Sequence, residues 1–169
     1  MLQHPVPDTH LKEIGDITVS FAMLEFQIQN LIGSLIYEHQ RIGQIITAEL
    51  SFKNLRALLI SLYLERHGED DDFKNLRNFI KQAGQVEEKR NQIMHSVWAA
   101  GKDKEHITRF KTTAKEKHGI RFKFEEVSAE DLSNFAKEIK VLAEELQRYQ
   151  LDLLSRRKII NSPIKKLWS

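Results

Sequence analysis

The sequence predicts an all-α protein: an up-down bundle of four long helices plus a short helix, with a β-hairpin inserted between the third and fourth long helices. Two observations carry this prediction. The 169 residues include only 7 glycines and 3 prolines, so helix breakers are sparse. Long segments repeat apolar residues with the helical period, whereas the segment around residue 110 is rich in β-branched and aromatic residues.

The composition describes a globular chain with a sizeable core. Hydrophobic residues make up 41% of the sequence and charged residues 30%, which fits one domain over 1–160 followed by a C-terminal tail over 161–169. Cysteine is absent, so disulfides and cysteine-ligated metal sites are excluded. The start of the chain has no signal-peptide core, and the longest apolar run is too short to span a bilayer. We therefore expect a cytoplasmic protein without a membrane partner.

The first long helix is expected from Asp8 to about Tyr37. Asp8 is a plausible N-cap, and the apolar residues that follow form one stripe at about 100° per residue. Glu25 falls inside that stripe, where a carboxylate is unfavourable unless it is paired or protonated. Its candidate partners are Arg90, which it would hold in place, and Arg56. The alternative is a half-exposed glutamate at an oligomer seam.

Two shorter helices are expected next. The first covers 42–50, and the second covers 52–66, with Ser51 as its N-cap and Gly68 just after its C-terminus. The acidic run 69–72 favours the start of a further helix over a metal site. Acids stabilise the positive end of a helix, and no histidine is spaced to complete a metal site.

The remaining elements are a third long helix, a hairpin and a fourth long helix. The third helix is expected from about Phe73 to Trp98. The segment 102–127 predicts a β-hairpin, because two stretches within it show partial alternation of β-branched and aromatic residues. Ser128 and Asp131 resemble a capping box at the start of the fourth long helix, which is expected to reach about Lys158.

The main chemical feature of the chain is a polar cluster near the end of the third long helix: Arg90, Asn91 and His95, preceded by Glu87. Arginine binds phosphate through several donors, and histidine transfers protons near neutral pH. On a helical wheel Arg90 and His95 lie about 140° apart. One helix alone therefore makes a poor active site. The alternative is an ordinary solvated helix face on which Arg90 pairs with Glu87 or another acid.

The stretch from Arg90 to His95, RNQIMH, resembles the R-x(4–6)-H motif of HEPN domains, the higher eukaryotes and prokaryotes nucleotide-binding superfamily. Asn91 matches the polar residue that this family prefers after the arginine. The all-helical bundle with the motif on a late helix also matches. The resemblance covers roughly 8–157, but its specific part is these six residues.

The resemblance implies a metal-independent endoribonuclease that works as a homodimer, with two copies of the motif in one composite cleft. His95 would act as general base or acid on the ribose 2′-hydroxyl or the leaving oxygen. Arg90 would hold the scissile phosphate and stabilise its developing charge, and Asn91 would orient His95 or bind phosphate. The products would be a 2′,3′-cyclic phosphate and a 5′-hydroxyl, so the substrate must be RNA. No cofactor and no metal is implied.

Two features depart from the family pattern. One group of HEPN toxins has a tyrosine two residues after the histidine, where a nucleotide-transferring antitoxin modifies it; here that residue is Val97, so control of that kind is in doubt. The predicted hairpin is not part of the minimal helical fold. Some HEPN members are catalytically silent. The alternative to a toxin or phage-defence ribonuclease is therefore a dimeric module that binds nucleotide, RNA or a protein partner, and a third hypothesis is a plain helical assembly protein.

Basic residues concentrate in the hairpin and at the C-terminal end, where they predict either an RNA-binding surface or an ordinary solvated one. The candidates for RNA binding are Lys111, Arg121, Lys123, Arg156 and Arg157. Three aromatic side chains of the hairpin are possible stacking surfaces for bases, although core packing is expected for at least two of them: Phe110, Phe122 and Phe124. The expected partners are a second copy of the chain, RNA, and an antitoxin or regulatory protein.

Overall fold

The computed structural model describes residues 4–36, 40–103, 105–115 and 119–156, and for 40, 112–115 and 119–121 it describes the backbone alone. Within these residues the chain forms five helices and one three-stranded antiparallel sheet. The predicted, predominantly helical class is therefore confirmed. In chain order the elements are α1 (Asp8–Ile36), α2 (Gln40–Thr47), α3 (Phe52–His67), α4 (Asp71–Met94), β1 (Val97–Ala100), β2 (His106–Lys115), β3 (Gly119–Ser128) and α5 (Ala129–Arg156).

The helix α1 forms where the apolar spacing predicts it. It begins at Asp8, and the carbonyl of Pro7 accepts hydrogen bonds from the backbone N–H groups of His10 and Leu11 at 3.0 Å. Glu25 lies in the predicted stripe and is half-buried. The side chains that form the core face of α1 are almost completely buried: Ile17, Leu24, Ile28, Leu31, Ile32 and Leu35.

Among the described helices, α1 alone is long and apolar enough to cross a membrane by length and composition. Residues buried inside the protein make up 39% of its most apolar window. One helix of this kind is weak support for a membrane span, because the core helix of a globular protein meets the same criteria.

The helix α2 packs on α1 through two glycines. A Cβ atom added to Gly43 would lie 2.9 Å from the Cα atom of Gly33, whereas a Cβ atom added to Gly33 would meet nothing within 4 Å. Thr47 is buried one turn after Gly43 and donates its hydroxyl to the Gly43 carbonyl at 2.8 Å. The small side of α2 is therefore the buried one, and its exposed side carries Ile42, Ile45 and Ile46.

Both predicted caps of α3 are present. The hydroxyl oxygen of Ser51 accepts a hydrogen bond from the backbone N–H of Asn54 at 3.3 Å. Gly68 has a φ of 72°, which favours glycine, and its N–H donates to the Leu64 carbonyl at 2.8 Å. Local sequence signals therefore set both ends of this helix.

The helix α4 begins at Asp71, two residues before the predicted start, and ends one turn early. Asp70 caps its start by accepting a hydrogen bond from the backbone N–H of Phe73 at 2.8 Å. The helix ends at Met94, so the expected end at Trp98 is wrong. The physical reason is strand pairing: Val97–Ala100 forms β1, which pairs antiparallel with β2, and β-branched and aromatic residues suit a strand.

The sheet has the strand order β1-β2-β3. In the register of β2 and β3, Ile107 lies opposite Val127, and both are buried. Gly101 connects β1 to β2 at a close approach, because an added Cβ atom would collide with the carbonyl of His106. The sheet is thus larger than the two-stranded hairpin expected from the sequence.

A reciprocal cap starts α5. The backbone N–H of Asp131 donates to Ser128 Oγ at 3.0 Å, and the backbone N–H of Ser128 donates to the Asp131 carboxylate at 3.0 Å. The Ser128 hydroxyl donates to the same carboxylate at 2.7 Å. These hydrogen bonds hold the pKa of Asp131 below its usual value. The predicted capping box is therefore confirmed.

Backbone contacts group the described residues into two compact units. Unit 1 takes its residues from Met1–Phe21 and Glu88–Ile139, and unit 2 from Ala22–Glu87 and Lys140–Ser169. Unit 1 contains the end of α4 and the whole sheet. The single domain over 1–160 stays a prediction, and the tail over 161–169 lies outside the described residues.

Candidate functional site

The polar cluster predicted from the sequence lies at the C-terminal end of α4, in unit 1. Arg90 and Asn91 are half-buried on the last turns of the helix, and His95 is exposed. His95 is the first residue after α4, and its backbone N–H still donates to the Asn91 carbonyl at 3.0 Å. The imidazole is therefore accessible to solvent one helical turn beyond the Asn91 amide.

Arg90 is held against α1, and no described acid pairs with it. Its guanidinium carbon lies 5.0 Å from the centre of the Phe21 ring, which is a cation–π distance. Its Nη1 donates to Asn91 Oδ1 at 3.0 Å. Its Nε is buried and has no hydrogen-bond partner among the described residues, and within that part of the chain Arg90 forms no ion pair. No acid among the described residues therefore neutralises the positive charge of Arg90.

A second contact joins the end of α4 to α1. The Thr18 hydroxyl lies 3.8 Å from the sulfur of Met94, one turn along from the contact between Arg90 and Phe21. Within unit 1, α1 and α4 thus run side by side in opposite directions. Thr18 is exposed, so the α1 surface beside Thr18 borders the turn that carries His95.

Lys89 anchors the other side of α4 to α5. Its ammonium group lies 4.1 Å from the centre of the Phe135 ring and 3.4 Å from the Glu138 carboxylate. The last turns of α4 are therefore fixed on two sides, by Arg90 on α1 and by Lys89 on α5. Sequence reasoning gave neither Lys89 nor Phe21 a role, because both contacts join distant parts of the chain.

Glu87 is engaged by a different arginine. Arg56 Nη2 donates to Glu87 Oε2 at 2.8 Å. Gly84, on the same helix as Glu87, leaves room for this arginine, since an added Cβ atom would lie 2.5 Å from Arg56 Nη1. Glu87 therefore neutralises Arg56, and the alternative in which Glu87 pairs with Arg90 finds no support.

Glu25 forms no ion pair with any described residue. The rival partner Arg56 is bound to Glu87, and the pairing of Glu25 with Arg90 stays a prediction. Glu25 is half-buried and lies beside the exposed Phe26. The alternative, a half-exposed glutamate at an oligomer seam, stays a hypothesis.

The predicted RNA-binding residues fall into two groups. In the sheet, Lys111 and Lys123 are exposed and lie directly opposite each other, and Arg121 lies opposite Thr113. At the C-terminal end of α5, Arg156 binds two acids: it contacts both carboxylate oxygens of Asp72, at 3.0 and 2.7 Å, and its Nε donates to Asp152 at 2.9 Å. These acids raise the pKa of Arg156 and occupy its donors. Arg157 lies outside the described residues.

The expected core packing of the hairpin aromatics is wrong. Phe122 and Phe124 are exposed, and Phe110 is half-buried. The register explains the error, because Ile107 and Val127 occupy the face of the sheet that is buried, and the phenylalanines occupy the other. The sequence did contain a signal for this arrangement, because alternate residues of a strand face opposite sides. The phenylalanines have even numbers, whereas the two buried residues have odd ones.

The described part of the chain contains no candidate metal-binding site. No group of three or more histidine, aspartate or glutamate side chains there is arranged to bind a metal ion.

Comparisons with family models, curated proteins and solved structures found no match to this chain.

Proposed function

We propose that the chain is a HEPN-like, metal-independent endoribonuclease that acts as a homodimer. The observation that most supports this function is the pairing of an exposed His95 with an arginine that has no acidic partner among the described residues, on consecutive turns of one helix end. A phosphodiester needs both a cation for its phosphate and a proton-transfer group. The proposal includes an up-down arrangement of the four long helices, with the sheet as an insertion.

In the proposed reaction, His95 accepts the proton of the ribose 2′-hydroxyl. The 2′-oxygen attacks phosphorus, the bond to the 5′-oxygen breaks, and the histidine of the second copy protonates the leaving oxygen. Arg90 donates to the phosphate oxygens as their negative charge develops. Asn91, held by Arg90 Nη1, keeps its amide N–H₂ for the phosphate.

A second copy is part of the proposal because one helix does not place Arg90 and His95 on the same line. An exposed apolar stripe on α1 is suited to receive that copy. Val19, Met23 and Phe26 are each more than half exposed and fall within about 60° on the helical wheel. The stripe begins beside Thr18, which contacts Met94.

The deciding test is RNA cleavage in the presence of a metal chelator. We expect the wild type to cut single-stranded RNA and to leave a 2′,3′-cyclic phosphate, and we expect His95→Ala to lose that activity. Arg90→Ala should lose it as well, whereas His4→Ala, which removes an exposed histidine outside the motif, should not. Intact RNA after incubation with folded wild-type protein would rule out the ribonuclease.

A non-catalytic module that binds nucleotide, RNA or a protein partner is the second candidate. The contacts of Arg90 favour this second candidate. The side chain packs on Phe21 and donates one hydrogen bond to Asn91, so only part of the guanidinium group is left to bind a phosphate. This candidate predicts RNA or nucleotide binding without cleavage. Retained binding by His95→Ala, together with an inactive wild type, would favour it over the enzyme.

A further inference from the structure

The sheet in unit 1 has two unlike faces. Alternate residues of a strand point to opposite sides, and the face that contains Ile107 and Val127 is the buried one. The opposite face, here called the aromatic face, is formed by Val97, Phe110, Phe122 and Phe124. The rings therefore lie on the side of the sheet that does not meet the core.

The aromatic face is exposed and its rings are close together. Phe122 is 61% exposed, Phe124 66% and Val97 58%. The ring centres of Phe122 and Phe124 lie 6.5 Å apart with an interplanar angle of 26°, and those of Phe110 and Phe124 lie 6.0 Å apart. A contiguous exposed apolar patch marks a binding surface. Rings inclined by small angles suit a partner made of planar groups.

The outer part of the hairpin carries excess positive charge. Towards α5, Arg109 is neutralised by Glu125 across the strands. Further out, Lys111 lies opposite Lys123, and like charges at directly opposite positions destabilise a sheet. The sequence from Lys111 to Lys123 holds five basic residues and one acid, Glu116. An anionic ligand would relieve this repulsion.

Beyond Phe110, the edges of the described β2–β3 hairpin are not paired with another strand, so a nucleic-acid strand has room to wrap round them. The strand β1 covers β2 only from Ile107 to Phe110, and β3 is an edge strand. Beyond Phe110 the described sheet is therefore a two-stranded ribbon, about 5 Å from strand to strand. Lys111 and Lys123 lie on the same face as Ile107 and Val127, opposite the aromatic face, and each ammonium group reaches the edge of the ribbon through its four-carbon stem. Phosphates at that edge would lie between the lysines and the aromatic face.

We propose that the aromatic face binds single-stranded nucleic acid, with bases stacked on Phe122 and Phe124 and phosphates held by Lys111 and Lys123. Aromatic stacking combined with a basic track is how proteins bind single strands without reading their sequence. A protein partner fits less well, because lysine is depleted in protein–protein interfaces. This binding goes beyond the proposed cleavage, since it uses no residue of the cluster at the end of α4.

The aromatic face also begins next to that cluster. Only Ser96 separates His95 from Val97, so their Cα atoms are at most about 7.6 Å apart. Phe124 lies two strands further across the sheet, about 10 Å from Val97. A nucleic-acid strand that runs across the three β-strands would therefore come within reach of His95 where it leaves the aromatic face.

The test measures binding with the full-length His95→Ala protein, so that cleavage does not interfere. The probes are a labelled single-stranded RNA of mixed sequence, the same sequence as DNA, and the two duplexes, followed by fluorescence anisotropy. We expect both single strands to bind more tightly than the duplexes. The double variant Phe122→Leu/Phe124→Leu keeps an apolar surface but cannot stack, and it should bind about tenfold more weakly or worse.

Matched variants separate stacking from folding and from charge. Phe122→Trp/Phe124→Trp should retain binding, and Val141→Ala, an exposed apolar position in unit 2, should not affect it. Lys111→Gln/Lys123→Gln should make the dependence of log K on log salt shallower by about 0.7 for each lost phosphate contact. Circular dichroism of each variant confirms that the protein is folded.

Two outcomes would overturn the proposal. One is binding that the leucine variant leaves unchanged, or that is as tight for duplex as for single strand. The other is a folded protein that binds none of the probes; if Phe122→Ser/Phe124→Ser then also converts a dimer to a monomer, a second copy is the occupant. Absence of cleavage by the wild type does not affect this result, because the assay requires no histidine at position 95.

Discussion

Individual side chains at the end of α4 acquire their roles from contacts that span large sequence distances. Arg90 and Arg56 are both arginines near glutamates, yet one is neutralised by Glu87 and the other is left with an aromatic ring and an amide. An unpaired guanidinium attracts an anion, and a paired one stabilises the fold. This difference is why the proposed function uses Arg90 and not Arg56.

The capping pair at the start of α5 predicts a pH dependence at the residue scale. The pKa of Asp131 is lowered in the folded state by its hydrogen bonds to Ser128, so its contribution to stability is complete above the usual aspartate pKa of about 3.9. That contribution is lost as pH falls through the lower, folded-state pKa. We expect Asp131→Asn to reduce the free energy of unfolding by about 0.5 kcal/mol at neutral pH.

Urea unfolding of the wild type and Asp131→Asn, at neutral pH and well below pH 3.9, measures this dependence. The difference between the two proteins should shrink at the acidic pH. Glu130→Gln is the matched control, because Glu130 lies in the same first turn but makes no bond to Ser128. A difference that stays constant across the two conditions would contradict this account of Asp131.

At the scale of elements, the contact between α1 and α2 depends on a residue without a side chain. The Cβ atom of an alanine at position 43 would collide with the backbone of Gly33, and backbone atoms cannot move aside as a flexible side chain can. We expect Gly43→Ala to lower the free energy of unfolding by about 1–3 kcal/mol, measured by urea unfolding.

Gly15→Ala is the matched control for this substitution. Gly15 also lies inside a helix, but an added Cβ atom there meets nothing within 4 Å. Alanine is the better helix former, so this change should stabilise the protein by about 0.5–1 kcal/mol. Equal effects of the two substitutions would mean that helix propensity, and not the approach of α2 to α1, decides the outcome at position 43.

At the scale of the whole molecule, the exposed stripe on α1 predicts self-association. Met23 lies between Val19 and Phe26 on this stripe, and a charge there would be buried without a partner in a dimer. We expect Met23→Glu to shift the protein from dimer to monomer in sedimentation velocity and to reduce RNA cleavage at least tenfold. Leu151→Glu, at an exposed apolar position on α5, should change neither.

How far the sequence predicts this molecule depends on the range of the forces involved. The helices and their caps follow from local patterns, as in α1, α3 and the start of α5. The strand β1 could not be predicted in this way, because Val97 and Trp98 continue a helical pattern until β2 is present to pair with them. The exposed aromatic face was missed for the same reason, since tertiary packing decides which side of a hairpin meets the core.

The short connection between α4 and β1 has a consequence for how this chain can vary. Only His95 and Ser96 lie between the two elements, and they convert the 3.6-residue repeat of a helix into the two-residue repeat of a strand. Inserting one residue there would invert β1, so that Trp98 would replace Val97 on the aromatic face. Apart from the proposed role of His95, the length of this turn is therefore fixed by the two geometries that it joins.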